Sequence, residues 1–265
     1  MLFDFKLQPV DEITPWGEPP NLDLSWFALT YGFYRLNVGN ERLFSYSNEI
    51  SNLWKADYSD FSADYVEYQV VRFWEDVLEI LPNVLAPIPP ELSVWFSGDN
   101  PKILKLFQAS DQWLRSGREK SIVAEAALGW VQNRVLDSGH LETGPRIWIW
   151  SDLETVTITW DNRQCLIDGV EVWSAKCGSY SMTRAIFLKE IQRFNDDFIA
   201  QMQRRVDDIC AGWSRPHIRI DFENLRKQQR ERPRELDRSL SCPGDPIDLQ
   251  NTLSAIELIS KSNAL

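Results

Sequence analysis

Histidine is scarce in this sequence, which contains only His140 and His217. Imidazole is a frequent general base and zinc ligand, so this scarcity excludes most zinc enzymes and leaves few candidate bases. The sequence also lacks the G-x-S-x-G, G-x-x-x-x-G-K-[ST], G-x-G-x-x-G and H-E-x-x-H motifs of common enzyme and nucleotide sites. We therefore expect a protein that is not an enzyme and holds no metal or cofactor.

Cysteine and long apolar runs are also limited. The four cysteines, at positions 165, 177, 210 and 242, form no C-x-x-C pair and have no neighbouring histidine, which argues against a structural zinc site. They permit disulfides, but the first residues lack the features of a signal peptide, and reduced thiols are expected. No apolar run approaches the roughly 20 residues that span a bilayer. We expect a cytoplasmic protein without membrane contact.

Basic residues are outnumbered by acidic ones. The chain has 28 Lys and Arg against 39 Asp and Glu, and its formal net charge is −11. A general nucleic-acid binder neutralises phosphates with Lys and Arg, so this balance argues against one. The acidity leaves two interpretations open, simple solubility or attraction of a basic protein partner.

Amphipathic patterns, in which apolar and polar residues recur with the period of a strand or a helix, are abundant in the sequence, above all between residues 146 and 213. Residues 146–150 and 154–160 alternate as strands, and Asp168-Gly169 predicts a tight hairpin turn between residues 165–167 and 170–173. After Ser181 the period lengthens to that of a single long helix. Its apolar stripe consists of Phe187, Ile191, Phe194, Phe198, Met202, Val206, Ile209 and Trp213.

The N-terminal half repeats this order. Residues 3–7, 25–29, 33–38 and 42–46 predict strands, with a turn at Tyr31-Gly32, and residues 61–81 predict a helix that Pro82 ends. Trp54-x-Ala56 resembles Trp173-x-Ala175, and residues 72–76 (RFWED) resemble residues 193–197 (RFNDD). Residues 92–96 and 218–222 predict closing strands.

These patterns predict an α+β fold with an internal duplication. Two similar units of antiparallel strands plus a long helix cover about residues 20–96 and 142–222, joined by predicted helices at 101–114 and 121–136. We assign residues 1–240 to a single α+β domain and residues 241–265 to a linker and a short C-terminal helix at 249–260. Chance similarity between aromatic-rich segments remains the alternative to duplication.

Two alternative functions remain open, an enzyme and a ligand-binding regulatory module. His140 lies near Glu142 and Asp152 in sequence and forms the only candidate acid–base cluster for an enzyme of unknown reaction. A loop histidine bonded to backbone is the favoured explanation of His140, because no recognisable nucleophile accompanies it. A regulatory module that binds a small ligand between the two repeats is the other alternative.

Five short segments carry a resemblance to a known family. They are residues 24–30 (LSWFALT), 65–68 (YVEY), 72–76 (RFWED), 144–146 (GPR) and 160–161 (WD). Across about residues 3–236 the chain resembles a family of bacterial cytosolic proteins known only as a domain of unknown function. These motifs are structural, so the resemblance implies no catalytic or binding residue. In size, acidity and absence of catalytic motifs the chain is also similar to immunity proteins of bacterial toxin systems.

That second similarity implies a protein that binds and neutralises a basic toxin domain. If the repeats are real, their equivalent turns are residues 30–32 and 152–154, at the ends of predicted strands where side chains are exposed on a rigid base. We therefore predict a partner-binding site with Trp16 and Tyr31 as apolar anchors and Asp152, Glu154 and Asp161 as the charged part. Ordinary solvated turns are the alternative.

Overall fold

The computed structural model describes residues 1–55, 62–96 and 102–263. Its strands are β1 (Phe3–Leu7), β2 (Leu22–Asp23), β3 (Tyr31–Val38), β4 (Glu41–Leu43), β5 (Val66–Gln69), β6 (Ile147–Ser151), β7 (Thr155–Asp161), β8 (Leu166–Ile167), β9 (Val170–Glu171), β10 (Cys177–Thr183) and β11 (Ile218–Arg219). Its α-helices are α1 (Asn48–Lys55), α2 (Val70–Leu85), α3 (Pro90–Ser93), α4 (Ile103–Leu114), α5 (Arg118–Gln132), α6 (Arg184–Ala211), α7 (Phe222–Glu231), α8 (Glu235–Ser241) and α9 (Leu249–Asn263). Helices and mainly antiparallel strands make the fold α+β, as the sequence predicts.

The chain forms two compact units. The first contains Met1–Glu79, Val172–Ala175 and Ala185–Ser241. Its sheet has β3 at the centre, paired antiparallel with β1, β4 and β5. The short strands β2 and β11 form a separate parallel pair.

The core of the first unit is built around one face of α6. From Phe187 to Ile209, every residue of the predicted apolar stripe is buried, which confirms the 3.6-residue period in the sequence. Phe194 stacks on Phe3 with ring centroids 5.0 Å apart, and Phe5 and Phe73 each lie 5.5 Å from it. Aromatic side chains from β1, α2 and α6 therefore meet in one cluster.

The second unit contains Ile80–Glu171, Lys176–Arg184 and Cys242–Leu265. Its sheet has the order β10-β7-β6, all antiparallel. Helices α4, α5 and α9 pack together, and their buried side chains share a core with Trp148 of β6. The predicted hairpin at Asp168-Gly169 is confirmed: both residues have positive φ (50° and 79°), and β8 pairs with β9 across them.

Several local predictions are wrong. Residues 25–29 include no strand; Ala28–Thr30 is a 3-10 helix whose first N–H is accepted by the Ser25 hydroxyl at 3.2 Å. The predicted strand at 92–96 is helical, because Pro90 begins α3 and Val94–Phe96 continues as a 3-10 turn. Tyr31 and Gly32 are the first residues of β3 and form no turn.

The first predicted long helix is also displaced. Residues 66–69 form β5 against β3, and the helix starts at Val70. Pro82 lies inside α2, which continues to Leu85, so the expected stop is wrong. The predicted helix starts at Phe61 and Pro101 fall outside the described residues. The duplication itself stays a prediction.

Candidate functional site

The turn between β6 and β7 consists of Asp152, Leu153 and Glu154. The Asp152 carboxylate bridges it: Oδ1 accepts hydrogen bonds from the backbone N–H groups of Glu154 (2.8 Å) and Thr155 (2.7 Å). Its Oδ2 accepts the Thr155 hydroxyl at 2.9 Å. The Asp152 backbone N–H also donates to the Thr155 carbonyl at 3.1 Å. An aspartate that binds its own backbone two residues on stabilises a turn without help from distant residues.

Arg184, the first residue of α6, holds the turn from the same unit. Its backbone N–H donates to the Glu154 carbonyl at 3.1 Å. Its guanidinium donates to the Ser151 hydroxyl at 3.0 Å, to the Asp152 carbonyl at 3.4 Å and to the Leu85 carbonyl at 2.7 Å. The turn is therefore fixed both by its own carboxylate and by an arginine attached to a long helix.

Leu153 projects from this fixed turn with 82% of its surface exposed, the largest fraction among the large apolar side chains of the described residues. Asp152 and Glu154, on either side of it, are also exposed. The arrangement presents one apolar side chain between two carboxylates on a preformed backbone.

Asp161 is in a different environment from the other predicted site residues. It lies at the far end of β7, about 20 Å from the turn at the usual rise of a strand. Its side chain is 1% exposed, and its carboxylate binds the Arg163 guanidinium at 2.9 and 2.5 Å. This pairing raises the pKa of Arg163. Asp161 is thus a buried, paired carboxylate and is not presented beside Asp152 and Glu154.

The two predicted apolar anchors belong to the first unit, whereas the three acids belong to the second. Trp16 is 45% exposed, exchanges backbone hydrogen bonds with Asp23 and lies 5.8 Å from the Phe27 ring. The Tyr31 hydroxyl donates to the Glu67 carboxylate at 3.0 Å. Partial burial and the Glu67 charge raise the pKa of Tyr31 to about 12, which favours the neutral phenol that donates to Glu67.

The chain was compared with known proteins. Residues 2–255 match the sequence model of a family of unknown function, DUF5984. The chain belongs to the family DUF5984. Comparison with curated proteins finds no match, and comparison with solved structures finds none either. The predicted membership of an uncharacterised family is therefore confirmed, and the match spans almost the whole sequence.

In this DUF5984 member, His140 and Glu142 of the alternative cluster lie in the segment between α5 and β6, whereas Asp152 lies in the turn between β6 and β7. His140 is partly buried and Glu142 is exposed, while the Asp152 carboxylate bonds within its own turn. Among the described residues no group of three or more His, Cys, Asp and Glu side chains has an arrangement suited to a metal ion. None of the helices in that same part of the chain combines the length and apolar character needed to cross a bilayer.

Sequence reasoning places Asp152 and Glu154 in this turn but names neither Leu153 nor Arg184 as a site residue. The signal that could have indicated Leu153 was its position between two acids, in the break that separates two predicted strands. A leucine there has no apolar residue beside it in the sequence. Arg184 had no local signal, because its contact with the turn joins residues about 30 positions apart. Such a contact requires the paired strands β7 and β10 to bring both segments together.

The turn predicts a specific pH response in this protein. Hydrogen bonds from the backbone N–H groups of Thr155 and Glu154 hold the pKa of Asp152 below its ordinary value of 3.8. A depressed carboxylate pKa stabilises the folded state above the unfolded pKa, and this stabilisation is lost as the pH falls through the folded value. The difference in melting temperature between wild type and Asp152→Asn should therefore be largest near neutral pH and shrink below about pH 4.

Thermal unfolding monitored by circular dichroism between pH 2.5 and 7 tests this response. Glu154→Gln is the matched control, because it removes a carboxylate and leaves the three bonds to Asp152 in place. A difference between wild type and Asp152→Asn that is independent of pH would contradict the role given to the Asp152 charge.

Proposed function

We propose that this DUF5984 chain is a non-enzymatic binding protein that neutralises a basic toxin domain, with the turn at residues 152–154 as its principal contact. The observation that carries the proposal is the exposure of Leu153 between Asp152 and Glu154 on a turn that is already ordered. An isolated exposed leucine is common on protein surfaces. Its combination with a preformed backbone and two flanking carboxylates is what favours recognition.

Preorganisation is the first physical support. A flexible loop binds more weakly because it must become ordered on binding, which costs roughly 0.5–1.5 kcal/mol per immobilised side chain. The turn avoids much of this cost, since Asp152 and Arg184 already fix its backbone. Leu153 would enter an apolar pocket on the partner, and the carboxylates would pair with Lys or Arg at the rim of that pocket.

Charge is the second support. The net charge of −11 produces a long-range attraction for a positively charged partner. Electrostatic steering accelerates association, which suits a protein that must reach its target before the target acts. An acidic surface and a fixed acidic turn thus favour a basic partner over a neutral one.

The test begins with a photo-crosslinking amino acid at position 153 and, as a control, at position 258 in the native host. Leu258 is 53% exposed on α9 of the same unit. We expect position 153 to capture a basic polypeptide that position 258 does not. That polypeptide should be toxic when expressed alone and harmless when co-expressed with the wild-type chain.

The affinity of the captured polypeptide is then measured by calorimetry. Leu153→Ser with Glu154→Lys should raise Kd by about two orders of magnitude, as expected for removing a central anchor and reversing a paired charge. The matched double variant Leu258→Ser with Glu257→Lys changes the same residue types on α9 and should leave Kd within about twofold. Equal capture at both positions, or equal loss of affinity in both double variants, would refute the turn as the contact site.

A further inference from the structure

A cavity of about 530 Å³ lies within the second unit. Leu104 and Phe107 of α4 contribute one side, and Val135 and the Trp148 ring contribute another. The wall is completed by residues 136–139 and 144–146, from the segment that joins α5 to β6. The cavity is open to the surface, and its volume and largely apolar lining are typical of clefts that bind a small organic molecule.

Arg146 is the unusual member of the lining. Its side chain is only partly exposed, and its backbone N–H donates to the Asn162 amide oxygen at 2.8 Å. Within the described part of the chain its guanidinium makes no hydrogen bond or ion pair, and its charge opposes the burial that raises the pKa of the Cys165 thiol. A guanidinium offers five donors in a planar fork that fits a carboxylate, and leaving them unused beside an apolar cavity favours an anionic ligand.

Two carboxylates also line the cavity, and both are already engaged. Asp111 binds the Arg115 guanidinium at 3.0 and 3.2 Å and lies on the exposed surface of α4. Asp137 is exposed and accepts the Gly139 backbone N–H at 2.8 Å. Because both are solvated, their repulsion of an anion is weakened by water and salt. The charge of Arg146 therefore dominates near the lining, and it favours a negatively charged ligand.

We propose that this cavity binds small organic carboxylates with an aromatic body, the carboxylate on Arg146 and the aromatic rings against Leu104, Phe107 and Trp148. Planar rings suit the aromatic walls, because offset or edge-to-face contact adds to the burial of apolar area. A charge-assisted, bidentate hydrogen bond to Arg146 supplies the orientation. The site is independent of the proposed protein contact at residues 152–154.

The probe pair is 1-naphthaleneacetate and 1-naphthaleneacetamide, which share an aromatic body and differ in charge. Binding to the full-length protein is measured by calorimetry, and the location by methyl NMR shifts of Leu104 and Val135. We expect the acid to bind at least about tenfold more tightly than the amide, the ratio given by one charge-assisted hydrogen bond. Arg146→Gln should abolish that preference, and Arg146→Lys should restore part of it.

Two further variants control for folding and for non-specific adsorption. Arg118→Gln removes an exposed arginine from α5 of the same unit and should leave both affinities unchanged. Leu104→Trp fills the cavity and should weaken both compounds while the melting temperature is retained. Equal binding of acid and amide, an acid preference that survives Arg146→Gln, or no binding of either compound at the Leu104 and Val135 methyls would each overturn the proposal.

Discussion

Replacement of Phe194 by alanine is expected to lower the free energy of unfolding by about 3–5 kcal/mol, the range for truncating a buried phenylalanine. Phe194 is 2% exposed and contacts Phe3, Phe5 and Phe73, so its removal leaves a cavity that three aromatic rings border. Rings held by β1 and α2 cannot easily collapse into that space. Denaturant unfolding followed by tryptophan fluorescence measures the loss.

Asp196→Ala is the control on the opposite face of α6. Asp196 is exposed and accepts hydrogen bonds from Gln192 and Asn195 at 2.9 and 3.2 Å. Such exposed interactions contribute little, and we expect a change below about 0.5 kcal/mol. Comparable losses in the two variants would contradict the assignment of the buried face.

Gly32→Ala should cost about 2–3 kcal/mol, in the upper part of the range for overpacking. Gly32 lies in β3 opposite Leu7, and an added Cβ would collide with the Lys6 carbonyl oxygen and lie 2.9 Å from the Leu7 Cα. These atoms belong to backbone, which is held by the β1–β3 ladder and cannot move aside as a flexible side chain would. The cost therefore appears as a weakened pairing of β1.

Gly129→Ala provides the comparison for this second prediction. Gly129 lies within α5, and apart from its chain neighbours and the helix's own backbone, no atom of the described residues lies within 4 Å of the position its Cβ would take. Alanine favours a helix over glycine, so this variant should gain about 0.5–1 kcal/mol. Both variants replace glycine by alanine. If Gly32→Ala lowers the free energy of unfolding and Gly129→Ala raises it, the loss is caused by the close backbone contact at Gly32. A destabilisation of similar size in both would refute that explanation.

The candidate site was only partly accessible to sequence reasoning. Asp152 and Glu154 were identified because a break between two alternating segments predicts a turn, and turn residues are exposed. Asp161 was grouped with them as part of the charged surface for a basic partner, but its side chain is 1% exposed. Its burial depends on Arg163, two residues on, which supplies the partner that a buried carboxylate requires.

Strand β10 shows why local pattern can miss an element. Its seven residues, CGSYSMT, include no β-branched apolar side chain and show no clear alternation of apolar and polar residues. It pairs with β7 along its whole length. Trp160 of β7 lies against Gly178, where any Cβ would come within 2.5 Å of the ring. This segment is therefore a strand because it pairs with β7 and because Gly178 leaves room for the Trp160 ring.

The sequence by itself determined the α+β class, the buried face of α6, the hairpin at Asp168-Gly169 and the position of the turn before β7. Each of these follows from residues close together in the chain, where period and backbone preference act directly. The tertiary structure decided that Gly32 lies inside a strand, that Pro82 is carried within α2, that Arg184 holds the turn at residues 152–154, and that Arg146 borders an apolar cavity. These outcomes depend on contacts between segments distant in sequence, whose energies exceed local preferences and leave no periodic signal in the residues themselves.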